Sequence, residues 1–160
     1  MIKKIVFDGA AETRHLGAKI FNCTDIPRFY WLIENENCHW KIGLNVNQKE
    51  IEPMISIRDG LVFVGIEDSV LVLKNEDGDL ISSHETLAPF QWFELSAKEY
   101  IVVAAEDHIF CLNNEGKHIW GKNLPDIIGD TKIEGAVLIV TDISDCKYNI
   151  DLASGKSLKK

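Results

Sequence analysis

The stretch that decides the fold is Tyr100-Ile101-Val102-Val103-Ala104-Ala105-Glu106-Asp107-His108-Ile109-Phe110-Cys111-Leu112-Asn113-Asn114-Glu115-Gly116-Lys117-His118-Ile119-Trp120. It holds two short apolar runs, each too short for a helix and rich in the β-branched and aromatic residues that pack well on a pleated surface. Glu106-Asp107 separates them as a wet turn. Asn113 to Gly116 separates the second run from Ile119-Trp120, with Gly116 placed where a tight hairpin needs positive φ. The stretch therefore reads as an antiparallel meander.

The same order occurs twice more. Upstream, Leu61-Val62-Phe63-Val64 leads through Glu67-Asp68 to Val70-Leu71-Val72-Leu73, the turn Asn75 to Gly78, and Leu80-Ile81. Downstream, Val137-Leu138-Ile139-Val140 leads through Ser144-Asp145 to Tyr148 to Leu152, then Ser154-Gly155 and Leu158. Leu73 and Leu112 are 39 residues apart, Gly78 and Gly116 are 38, and Gly116 and Gly155 are 39. Self-similarity at a fixed period marks a repeat architecture. A fourth copy is read upstream, where Leu44 to Ile51 aligns without a gap on Leu112 to Ile119, behind strands at Tyr30-Trp31-Leu32-Ile33 and His39-Trp40-Lys41-Ile42. The expected units are 29–54, 55–92, 93–131 and 132–160, within one domain over 1–160. The one helix candidate is Ala10 to Ile20, which Gly17 interrupts. The fold class is all-β: antiparallel meander repeats, propeller-like or irregular stacked sheets, with a β-sandwich as the alternative.

Residues 109 to 120 resemble the inner hairpin of a PQQ-like β-propeller repeat, or more broadly a WD-like one: an apolar strand, a turn ending in Gly, and a strand ending in Trp. The likeness extends over residues 55–158. It implies blade-like sheets, and Trp120 as the residue that docks one blade on the next. The matching positions hold Ser82 and Lys159. The family's cofactor-binding members need many more blades than 160 residues supply, so no cofactor is carried over.

With 46% hydrophobic and 26% charged residues, the chain can bury a core without metal or disulfide. No apolar run approaches the ~18 residues of a membrane helix. The apolar run after Lys3-Lys4 is too short for a signal peptide and reads as a first strand, so a cytoplasmic address is expected. Cys23, Cys38, Cys111 and Cys146 are scattered, with no C-x-x-C, and are expected to be reduced thiols. Lys plus Arg total 17 against 25 Asp plus Glu, a net charge of −8. That balance argues against direct nucleic-acid binding and suits a basic protein partner.

No nucleophile elbow, dinucleotide fingerprint or Walker loop is present. His108 and Cys111, like Cys38 and His39, have the wrong spacing for a metal site on a strand. Asn75 to Asp79 has a calcium-loop look, but Thr86 stands where the bidentate Glu would be, so it reads as a hairpin turn. The expected function is a non-enzymatic protein-binding module, most concretely an acidic immunity or antitoxin-type protein that neutralises a basic nuclease-like toxin. The candidate contact residues are Trp31, Trp40 and Trp92 with Glu34, Glu36, Glu67, Asp68, Glu106 and Asp107. Trp is favoured at interface hot spots, and Glu67-Asp68 and Glu106-Asp107 recur at one place in the repeat. The alternatives are a carboxylate-dependent hydrolase and a carbohydrate-binding module.

Overall fold

The computed structural model describes residues 1–9 and 17–159. Most of the helix candidate therefore lies outside the described residues, and its last two, Lys19 and Ile20, are strand. The described residues form fifteen strands and no helix. They fall into two compact units, Met1–Glu85 and Thr86–Lys160.

The first unit holds two sheets. One contains β1 (Ile2–Asp8), β2 (Lys19–Asn22), β3 (Phe29–Asn35) and β4 (Trp40–Val46), in the order β1-β3-β4-β2. β2 runs parallel to β4, a departure from the antiparallel meander expected. The other is a plain meander of β5 (Met54–Arg58), β6 (Leu61–Ile66), β7 (Ser69–Lys74) and β8 (Leu80–Glu85). β5 precedes the strands named from the sequence. Its signal was Asp59-Gly60, where both residues take positive φ (50° and 80°) as a two-residue hairpin requires. The core of this unit joins Trp31, Ile33, Ile42 and Leu44 of one sheet to Val62, Val64, Leu71 and Leu73 of the other.

The second unit repeats the plan. β9 (Phe90–Glu94), β10 (Tyr100–Ala105), β11 (His108–Asn113) and β12 (His118–Asn123) form one meander, and β13 (Ile128–Glu134), β14 (Val137–Asp142) and β15 (Lys147–Asp151) form the next. After β15 the chain turns back, and Ser157 forms an isolated antiparallel bridge with Ile150. Val102, Ala104, Ile109 and Cys111 pack with Leu138, Val140 and Ile150 as the core. Each of the four sheets is open, with two edge strands.

One turn device recurs. Where a strand ends, an Asn or Asp side-chain oxygen accepts backbone N–H groups of the following turn. Asn35 takes Asn37 and Cys38, Asn113 takes Glu115 and Lys117, and Asp142 takes Ser144 and Cys146. Part of the chain's acidity is therefore turn chemistry.

Candidate functional site

Indole rings join the two sheets of each unit. The Trp120 ring lies over Gly155, and its Nε1–H donates to the Leu152 carbonyl at 2.7 Å. Trp120 thus performs the docking role that the resemblance implied. Trp40 does the same in the first unit: it lies over Gly78, and its Nε1–H donates to the Asn75 carbonyl at 2.8 Å. The sequence reading did not see this second case, because Trp40 opens an inner strand whereas Trp120 sits in an edge strand. The signal available was the match between Asn75 to Gly78 and Leu152 to Gly155 as receiving turns.

This accounts for most of the candidate aromatics. Trp31 and Trp40 are buried core residues. Trp92 is half-buried against the second core, and its Nε1–H donates to Thr131 Oγ1 at 2.8 Å. None of the three offers the open ring face that a sugar ledge would need.

The acidic pairs separate into different environments. Glu67 is buried, and its Oε1 accepts the N–H groups of Asn47 (2.7 Å) and Gln48 (2.6 Å). It ties the loop after β4 to the β6–β7 turn. Burial pushes its carboxyl above the usual glutamate range, against the opposing pull of those two N–H groups. The folded chain therefore binds this proton more tightly than the unfolded chain. The resulting stability is full below the ordinary glutamate pKa of ~4.3 and is lost as pH rises through the higher folded value. Glu67→Gln keeps an oxygen for both N–H groups and loses the charge. Its stability relative to wild type is expected to improve as pH rises from about 4 to about 7. Glu67→Ala leaves both donors unmet, at a cost of about 1–3 kcal/mol. Urea titrations across that range check both, and a pH-independent difference for Glu67→Gln would refute the assignment.

Glu34, Glu36 and Trp40 are brought together. With Asn35, His39 and Lys41 they line an open recess of about 370 Å³ at the β3–β4 hairpin. Both carboxylates are already paired, Glu34 with Lys41 and Glu36 with Lys3. The Lys3 ammonium holds the Glu36 carboxyl below its ordinary range, opposite to what a general acid requires.

Asp68 is exposed on the β6–β7 turn, and Glu106 and Asp107 sit on the β10–β11 turn with Asp107 exposed. The backbone of this second turn is occupied: Leu124 N–H donates to Asp107 O and Ile128 N–H to Glu106 O. The loop 124–128 is joined in turn to the β14–β15 turn, because Ile143 N–H donates to Ile127 O and Ser144 Oγ to Asp126 Oδ2. Three loops of the second unit thus form one connected edge carrying Glu106, Asp107, Asp126 and Asp145. The Ser144 hydroxyl, helped by the Ile127 N–H, lowers the Asp126 pKa. Ile143, 60% exposed, lies on the third of these loops. Asp126, Asp145 and Ile143 were not singled out in the sequence, since nothing local to them indicates that their loops meet.

Cys23 and Cys111 are buried, and burial pushes both thiols up to about 12. All four cysteines are free.

No family model matches this chain, and no curated protein matches it. Solved structures do. The computationally designed Ika4 protein aligns at a TM-score of 0.59 with 12% identity, over 72% of this chain and 76% of Ika4. BamB from Moraxella catarrhalis aligns at 0.55 with 14% identity, over 81% of this chain and 42% of BamB. The WD40 β-propeller domain of Doa1 aligns at 0.52 with 6% identity, over 81% of this chain and 46% of that one. In fold the chain is an all-β, propeller-type repeat protein. It spans less than half the length of the BamB and Doa1 chains it matches.

Proposed function

We propose that this chain is a non-enzymatic interaction scaffold that binds a basic protein partner through the acidic loop edge of its second unit. The observation that carries the reading is that the three loops bearing Glu106, Asp107, Asp126 and Asp145, and the exposed Ile143, are hydrogen-bonded into one edge. An exposed apolar side chain on an edge rich in carboxylates offers an anchor to bury together with electrostatic steering of a positive surface. Lys147 is the cation nearest in sequence and leaves the edge net negative. The likeness to propeller-type structures supports a scaffold in general. The concrete form we favour is an antagonist of the immunity type, whose carboxylates cover the phosphate-binding face of a nuclease-like toxin.

The test is capture from an extract of the native source, on wild type and on Glu106→Lys/Asp107→Lys side by side. One basic protein should be retained by wild type, weakened by about tenfold or more in the variant, and released by added salt. Equal retention by both chains, or binding indifferent to salt, would overturn the proposal.

A further inference from the structure

The first strand presents a self-complementary edge. β1 lies at the end of its sheet, and among the described residues no strand pairs with its outer side. Gly9 N–H donates to Arg28 O and Glu36 N–H to Met1 O. With the β1–β3 register these bonds turn the odd-numbered residues of β1 toward β3. Ile2, Lys4, Val6 and Asp8 therefore point N–H and C=O away from the sheet. The side chains are uncovered as well: Ile5 is 42% exposed, and Val6 and Phe7 are 37%. Phe7 stacks on Tyr30 with ring centroids 4.7 Å apart, which extends the apolar face onto β3. A seven-residue edge with an exposed apolar centre at Ile5, Val6 and Phe7, and without a Pro or a bulge, is a template for strand addition.

We infer that a second copy of this chain adds to that edge, β1 against β1 in antiparallel fashion about a two-fold axis at Val6. The register follows from the residues. Centring on Val6 pairs Ile5 with the partner's Phe7 on one face, and Lys4 with the partner's Asp8 on the other. Each of these contacts occurs twice, as a two-fold interface demands. It also matches the outward-pointing residues in hydrogen-bonded pairs: Val6 with Val6, and Lys4 with Asp8. Centring on Lys4 would oppose two lysines, and centring on Ile5 would set Lys3 against Phe7. Within the chain Lys4 pairs with Glu52 and Asp8 with Lys49, the latter at 3.7 Å. Asp8 and Glu52 are largely exposed, and such pairs are weak enough to share or rearrange. One strand pair makes a small interface, so the dimer is expected to be weak and its population to depend on concentration.

Sedimentation velocity from about 1 µM to about 500 µM tests this. Wild type should pass from monomer to dimer. Val6→Pro removes one outward N–H, is tolerated at a free edge, and should abolish the dimer while the far-ultraviolet circular dichroism is kept. Asp8→Lys opposes two lysine pairs and should weaken association roughly tenfold, and Lys4→Glu added to it should restore the dimer. Glu106→Lys/Asp107→Lys should leave dimerisation unchanged, which separates this edge from the proposed partner face. A monomer throughout the range overturns the inference and leaves the edge to a strand of another protein. A dimer indifferent to Val6→Pro overturns it equally.

Discussion

Replacing Trp120 with alanine is expected to cost the second unit about 3–5 kcal/mol, the usual penalty for removing a large buried aromatic. The ring contributes more than its own burial. It lies across Gly155, so its removal opens the seam between the β9–β12 sheet and the β13–β15 sheet. It also takes the donor away from the Leu152 carbonyl. Against a typical domain stability of about 5–15 kcal/mol, that loss is a large fraction of the total. Urea unfolding followed by circular dichroism measures it. Trp120→Phe keeps an aromatic ring but loses the Nε1–H donor and part of the indole volume, so its cost should fall between about 1 kcal/mol and that of Trp120→Ala. A Trp120→Ala cost below about 1 kcal/mol would show that the ring does not hold the seam.

Gly155→Ala is the second large effect, and it approaches the same contact from the other side. Gly155 has φ of 70°, where an L side chain is strained, and a Cβ there would lie 2.6 Å from Trp120 Cδ2. Left-handed strain of roughly 1–2 kcal/mol adds to overpacking of roughly 1–3 kcal/mol. In the first unit Gly78 has nearly the same φ, 71°, but a Cβ would meet Trp40 at 3.1 Å. Gly78→Ala should therefore cost mainly the backbone strain, about 1–2 kcal/mol, and be the milder of the two. Combining Gly155→Ala with Trp120→Ala should cost clearly less than the sum of the single changes, because the second removes what the first collides with. Additive costs would mean that ring and glycine do not act on each other.

Strand positions were legible where both faces are buried. Val62 to Ile66 and Ile101 to Ala105 read as unbroken apolar runs because their strands are covered on both sides. β5 and β9 carry fewer continuous apolar residues and were not read as strands from the sequence. The parallel β2–β4 pair had no local signal, since a four-residue strand acquires its partner from tertiary packing. The candidate site divides in the same way. Glu67-Asp68 and Glu106-Asp107 look alike in sequence, and both aspartates are exposed, yet Glu67 is buried against two backbone donors while Glu106 is only half-buried. The difference lies in which loop each turn faces.

By itself the sequence determined the strand class, the repeat of about 38 residues, and the turn glycines at 78, 116 and 155, all of which take positive φ. These properties follow from one residue and its chain neighbours: side-chain period, β-branching, and the one residue type that accepts φ above zero without strain. Only the tertiary structure decided that Trp40 and Trp120 each cover a glycine roughly 35–40 residues away, that Trp31 and Glu67 are interior, and that three separate loops carrying four carboxylates are joined by hydrogen bonds. Those depend on which surfaces meet after the strands have formed, and contact between residues far apart in the chain leaves no mark on the local pattern of either partner.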